Sequence, residues 1–277
     1  MSQQLITPEA VGAPTAHCAS CPIYNSAQLV KLGVDATGYD YVIALAGNPN
    51  TGKSTVFNTL TGLRQHTGNW SGKTVARAEG GFRFRERRYK LLDLPGTYSL
   101  LSTSADEEVA RDFILFGRPD VTVVVADATR LERNLNLALQ VLAITERVVV
   151  ALNLIDEARR HGIEVDARSL TRDLGVPVVP MAARRGEGVP ELLAAIADVA
   201  AGAYPARPRR LPLRDPAIER AIAELTPQIE AAFPGLPNAS WVALRLLDGD
   251  ESIAQAVRDG TLGTAVAPAA AAATALA

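Results

Sequence analysis

Between residues 40 and 202, short continuous apolar runs alternate with stretches in which apolar residues recur at helical spacing. The runs fall at Tyr41–Ala46, Val75–Phe84, Tyr89–Asp93, Val121–Ala126, Val148–Asn153 and Val176–Pro180. Val, Leu and Ile packed together between turn residues predict strands buried on both faces, as in a largely parallel sheet. Leu131, Leu135, Ala138, Leu139 and Leu142 line one face of a predicted helix, and a second helix is expected from about Pro190 to Ala200, carrying Leu192, Leu193 and Ile196. The pattern predicts an α/β three-layer sandwich over residues 40–202.

Residues 1–39 are rich in Ala, Pro, Thr, Ser and Gly with little periodicity, and read as an irregular extension. Past Gly202 the Pro- and Arg-rich stretch from Ala203 to Pro212 reads as a linker. Asp215-Pro216 then has the form of a helix start, with Ile218, Ile222, Leu225, Ile229 and Phe233 at helical spacing behind it. Further helices are predicted at Trp241–Leu247 and Glu251–Val257, so residues 203–277 are expected to form a linker and a small all-α subdomain.

Composition narrows the function classes. The 277 residues are 48% hydrophobic and 21% charged, with a formal net charge of −2, and so can bury a sizeable core. That charge argues against a nucleic-acid partner, which needs concentrated Lys and Arg. The one dense basic stretch, Arg83 through Lys90, is interleaved with Phe84 and Tyr89 and reads as a solvated hairpin face. No apolar run reaches the ~20 residues that span a bilayer, and the N-terminus has no secretory pattern, so a soluble cytoplasmic chain is expected.

The chemistry concentrates at the ends of the predicted strands. Gly47-Asn48-Pro49-Asn50-Thr51-Gly52-Lys53-Ser54 fits G-x-x-x-x-G-K-[ST] and follows the first strand, with Thr55 onward able to continue as a helix. The two glycines let backbone N–H groups converge on phosphates, Lys53 can neutralise the β and γ charges, and the Ser54 hydroxyl can ligate Mg²⁺. Asn153-Leu154-Ile155-Asp156 ends another strand. An Asp156 carboxylate can accept from both N1–H and the exocyclic amino group of guanine, a donor pair that adenine lacks, while Asn153 can tie its loop to the phosphate loop. Met181-Ala182-Ala183-Arg184 stands where such proteins usually carry Ser-Ala-Lys or Ser-Ala-Arg, so the Ala183 N–H is expected at guanine O6 and Ala182 lacks a supporting hydroxyl. That loss is expected to weaken nucleotide binding modestly, a neutral hydrogen bond being worth about 0.5–1.5 kcal/mol.

Asp93-Leu94-Pro95-Gly96 matches D-x-x-G: Asp93 can hold Mg²⁺ through water and the Gly96 N–H can meet the γ-phosphate. The polar, Gly-rich segment from Gln65 to Val75 is expected to be a loop acting as the first switch. Thr74 is the expected second hydroxyl on Mg²⁺, with Thr67 as runner-up. Lys53, Thr74 and Gly96 are the residues expected to act on the transferred phosphate.

In combination, the phosphate loop, Gly68-Asn69-Trp70-Ser71-Gly72-Lys73-Thr74-Val75, Asp93 through Leu100 and Asp127-Ala128 followed by Leu131 through Leu135 resemble the cytosolic G domain of the bacterial ferrous-iron transporter FeoB over about residues 40–200. The helical tail is similar to that family's GDP-dissociation-inhibitor subdomain. The resemblance implies a P-loop GTPase converting GTP to GDP with Mg²⁺, at the inner face of the plasma membrane through a transmembrane partner or region. It also implies activation by K⁺ held by Asn50 and by the carbonyls of Gly68 and Trp70, in the role of an arginine finger. Thr97 follows Gly96 where Ras-type enzymes carry a water-positioning Gln. A freestanding GTPase of ribosome or RNA maturation is the alternative, disfavoured by the acidic balance. A homo-oligomer is left open, as is whether the chain is a piece of a longer protein or assembles with a separate membrane protein.

His17-Cys18-Ala19-Ser20-Cys21-Pro22 carries a C-x-x-C pair. Cys18 and Cys21 are too few for a closed zinc site, so iron or zinc binding, redox sensing and no defined role all stay open.

Overall fold

The computed structural model describes residues 29–30, 32–63, 65–70, 73–101, 104–209, 215–260 and 262. Cys18, Cys21, Ser71, Gly72 and the end of the helical tail lie outside the described residues. Seven strands form one sheet in the order β2-β3-β4-β1-β5-β6-β7. These are β1 (Tyr41–Gly47), β2 (Gln65–Asn69), β3 (Ala76–Phe84), β4 (Arg87–Asp93), β5 (Val121–Asp127), β6 (Val148–Asn153) and β7 (Val178–Pro180). β4, β1, β5, β6 and β7 run parallel, while β2 and β3 join antiparallel at one edge.

Alternation along β1 builds the three layers. Ile43 and Leu45 pack with Val56, Phe57 and Leu60 of α1 (Lys53–Thr61), and with Leu192 and Ile196 of α6 (Val189–Ala200). Val42, Ala44 and Ala46 face the opposite way, into a core shared with Leu137 and Val141 of α3 (Leu131–Ile144). β5 and β6 are buried along their whole length, which is why their sequences are continuous apolar runs rather than alternating ones.

Because five strands are parallel, their C-terminal ends reach one edge of the sheet. Gly47, Asp93, Asn153 and Pro180 are the last residues of β1, β4, β6 and β7, so all four motifs arrive there. β1 sits between β4 and β5, where the chain reverses its direction of winding, and ligands of open α/β sheets bind at that crevice.

Two features depart from the expected pattern. Residues 65–69, expected as a loop, form edge strand β2, paired from Gln65↔Gly80 to Asn69↔Ala76. A solvent-facing edge strand is held by backbone hydrogen bonds, so its polar side chains carry no apolar signature. After α2 (Ala105–Asp112), the buried segment Phe113–Gly117 continues as a π-helical turn.

The C-terminal helices are α7 (Pro216–Ala232), α8 (Ala239–Leu247) and α9 (Glu251–Arg258), following α4 (Ile155–Arg160) and α5 (Ala167–Leu174). Asp215 caps α7 through Ala217 N–H, with Pro216 in the first turn where its missing donor is harmless. Asn238 caps two helices at once. Its side-chain oxygen accepts from Trp241 N–H, while its amide nitrogen donates to the Ala143 and Ile144 carbonyls, the end of α3. Val242 and Trp241 of α8 complete the core on that side. Among the described residues no helix is long and apolar enough to cross a membrane.

Candidate functional site

The loop between β1 and α1 is a tight cradle. A Cβ on Gly47 would lie 2.7 Å from the Val125 carbonyl, so this position admits only glycine. Gly52 turns the chain into α1 at φ 80°, and Asn50 also sits in the left-handed region at φ 66°, which asparagine tolerates better than most residues. Thr51 Oγ1 donates to the Asn48 carbonyl at 2.9 Å and closes the loop on itself. Asn48 is buried with neither side-chain amide atom partnered, whereas Asn50, Ser54 and Thr55 are exposed at the rim.

Lys53 Nζ binds the Asp93 carboxylate and the Leu94 carbonyl, the latter at 2.7 Å, joining the first turn of α1 to the D-x-x-G segment. Burial pushes the Asp93 carboxyl above its ordinary value, and the Lys53 ammonium opposes that rise. Gly96 lies over Pro49, where an added Cβ would be 3.6 Å away, and Thr97 N–H reaches the Gly47 carbonyl at 3.3 Å.

Asn153, 1% exposed, binds two of the motifs together. Its Nδ2 donates to the Thr51 carbonyl at 2.9 Å, and its Oδ1 accepts from Ala183 N–H at 3.0 Å. The N–H expected at guanine O6 is thus engaged by Asn153 in this conformation. Ala182 and Ala183 are buried, the former donating its N–H to the Glu187 carbonyl, and Arg184 is exposed. Asp156, in the first turn of α4, pairs with Arg185 Nε at 3.0 Å and with Arg160 Nη2 at 3.7 Å.

At the β2 edge, Gly68 lies in the strand and Thr67 pairs across to Ala78. Trp70 is 4% exposed, packed edge-on against Phe113 at 5.1 Å between centroids, with Arg77 5.4 Å over its ring. Its carbonyl accepts from Lys73 N–H at 3.0 Å, and Lys73 Nζ pairs with Glu108 of α2 at 2.7 Å. Thr74 is exposed just before β3.

Three contacts escape motif reading. Arg185 holds Asp156, Lys73 meets Glu108, and Gln140 of α3 binds Ser99 Oγ (3.2 Å) and Leu100 N–H (2.7 Å), anchoring the segment after D-x-x-G. Each joins residues distant in the chain through common surface residue types, so only the fold brings them together. Among the described residues no cluster of three His, Cys, Asp or Glu is placed to hold a metal ion.

Residues 41–196 match the family model described as ferrous iron transport protein B, and residues 215–275 match the FeoB cytosolic helical domain. The chain belongs to the FeoB family. It is 41% identical over 214 residues to the Fe(2+) transporter FeoB of Shigella flexneri, covering 75% of this chain and 27% of that protein. The curated FeoB relatives are much longer, and the chain covers 20–27% of their length. Among solved structures, the cytosolic domain of L. pneumophila FeoB aligns with a TM-score of 0.72 at 34% identity, covering 80% of this chain and 87% of that one. The cytosolic domain of T. maritima FeoB in its GMPPNP form aligns with a TM-score of 0.71 at 36% identity, covering 80% of this chain and 86% of that one. The architecture shared with these FeoB domains is the P-loop GTPase sheet followed by C-terminal helices.

Proposed function

We propose that this chain binds and hydrolyses GTP and serves as the nucleotide switch of a ferrous-iron uptake system. The convergence of the phosphate loop, D-x-x-G, N-x-x-D and Met181–Arg184 at one sheet edge, cross-linked by Asn153 and Lys53, is the observation that carries this reading. A FeoB cytosolic domain from T. maritima is described in a GMPPNP form, a triphosphate analogue, which supports a triphosphate ligand here.

In this reading Lys53 turns from Asp93 to the β and γ phosphates, the N–H groups from Asn50 to Thr55 cradle them, and Asp156 leaves Arg185 to read the guanine edge. Ser54 and Asp93, with Thr74 on the switch, form a hydroxyl and carboxylate oxygen set suited to Mg²⁺, which would offset charge on the phosphates. Asn50, exposed at the loop rim, would hold K⁺ with the Gly68 and Trp70 carbonyls. For Trp70 this requires the Lys73 N–H to release its carbonyl. The Gly96 N–H meets the γ-phosphate, so hydrolysis frees the segment running into α2. The helices from Pro216 to Arg258 would govern GDP release, and a transmembrane partner or region would place the domain at the inner face of the membrane.

Calorimetry with GTP and ATP, for wild type and Asp156→Ala, tests the reading. GTP alone should bind wild type, and Asp156→Ala should weaken it by at least about a hundredfold, the scale of losing a paired charged hydrogen bond. Equal binding of ATP would overturn the guanine assignment.

A further inference from the structure

We propose that the β3–β4 hairpin carries a second anion site, which takes the phosphate group of a small soluble phosphorylated compound. The hairpin places four arginines, at 83, 85, 87 and 88, around a turn in which Arg85 (φ 47°) and Glu86 (φ 63°) are both left-handed. Two of the four are neutralised within the fold. Arg85 pairs with Asp198 of α6 at 2.5 Å, and Arg87 pairs with Asp40 at 3.1 Å. The other two, Arg83 and Arg88, stand directly opposite each other in the antiparallel register.

Neither guanidinium of that pair has a carboxylate at ion-pair distance among the described residues. The neighbouring acids are already engaged: Asp40 accepts from Arg87 and from the Arg88 N–H (2.7 Å), and Glu79 pairs with Arg77 (2.7 Å) and Lys90 (2.5 Å). Like charges directly across a strand pair repel, so this arrangement costs stability until an anion lies between them. Guanidinium groups on directly opposite residues of adjacent strands can both donate to the oxygens of one phosphate group.

Arg83 and Arg88 line an open groove of about 880 Å³ together with His66, Gly81 and Thr61. The volume is in the range of small-molecule sites, which favours a soluble phosphorylated compound over a bilayer surface. Arg88 lies at the N-terminal end of β4 and Asp93 at its C-terminal end, so the groove and the phosphate loop are about 17 Å apart along the strand.

Titration of inorganic pyrophosphate into wild type and Arg83→Gln/Arg88→Gln, followed by calorimetry, tests the proposal. The double variant should bind one pyrophosphate fewer per chain, or bind at that site at least tenfold more weakly, and should melt no lower than wild type without pyrophosphate. Loss of one site is expected whether or not the phosphate loop also binds pyrophosphate, so failure of the GTP reading would not mask it. An unchanged stoichiometry and affinity would overturn the site. Binding of wild type to phosphatidylglycerol vesicles without any arginine-dependent pyrophosphate binding would overturn its soluble ligand.

Discussion

Arg111, in the last turn of α2, and Asp250, the cap of α9, approach to 3.7 Å in the interior, with only 4% and 2% of their side chains exposed. Arg111 Nη1 also donates to Ser252 Oγ at 2.9 Å, and Asp250 accepts from Arg245 Nε at 3.3 Å. Burial pushes the Asp250 carboxyl up, but the Ser252 hydroxyl, the Ile253 N–H and the two arginines outweigh it and hold the carboxyl below its usual range. The helix that follows D-x-x-G is thereby joined to the C-terminal helices through buried charge.

Asp250→Ala should remove the α9 cap and leave Arg111 and Arg245 without this carboxylate, costing about 3–5 kcal/mol by denaturant unfolding. Asp250→Asn, which keeps the cap, should cost less. If the C-terminal helices govern nucleotide release, GDP off-rates should rise several-fold in Asp250→Ala and less in Asp250→Asn. Rates within twofold of wild type for both would show that this contact does not transmit to the site.

Lys53→Ala should destabilise the fold by about 1–3 kcal/mol near neutral pH, because it strands the Asp93 carboxylate. Burial already raises that carboxyl and Lys53 opposes the rise, so removing Lys53 raises it further. A carboxyl whose folded pKa exceeds its unfolded one favours the fold when protonated, and that contribution is lost as pH rises through the folded value. The gap in melting temperature between wild type and variant should therefore widen from about pH 4 to pH 7. A gap independent of pH would show that Asp93 finds another partner.

Asn153→Ala should cost about 2–4 kcal/mol, since it leaves the Thr51 carbonyl and Ala183 N–H unpaired in the interior. Asn153→Asp keeps an acceptor for Ala183 but sets oxygen against oxygen at Thr51. Hydrogen exchange at Ala183 should thus stay slow in Asn153→Asp and quicken in Asn153→Ala. Equal protection in both would assign the Ala183 N–H to a different acceptor.

GTP turnover should be at least about tenfold faster in potassium than in sodium for wild type, and Asn50→Ala should abolish the difference. Equal rates in all four combinations would remove Asn50 and K⁺ from the reaction.

The buried strands and the strand-end motifs were legible because each is local. The runs of β5 and β6 are continuous in sequence, and parallel pairing alone brings Gly47, Asp93 and Asn153 to one edge. What escaped is non-local or written in the backbone. β2 pairs through main-chain groups beneath polar side chains, and nothing near Asp156 in sequence announces Arg185. Arg111 and Asp250 are 139 positions apart and look like ordinary surface charges until α2 and α9 pack together.

Residues 65–69 are the outermost strand of the sheet, held by five paired residues. If nucleotide exchange moves this segment, it would peel away all five pairs at once, and the domain would alternate between seven strands and six rather than between two shapes of a loop. The exposed edge then passes from β2 to β3, and amide exchange along Ala76–Gly80 would read the nucleotide state as a count of strands.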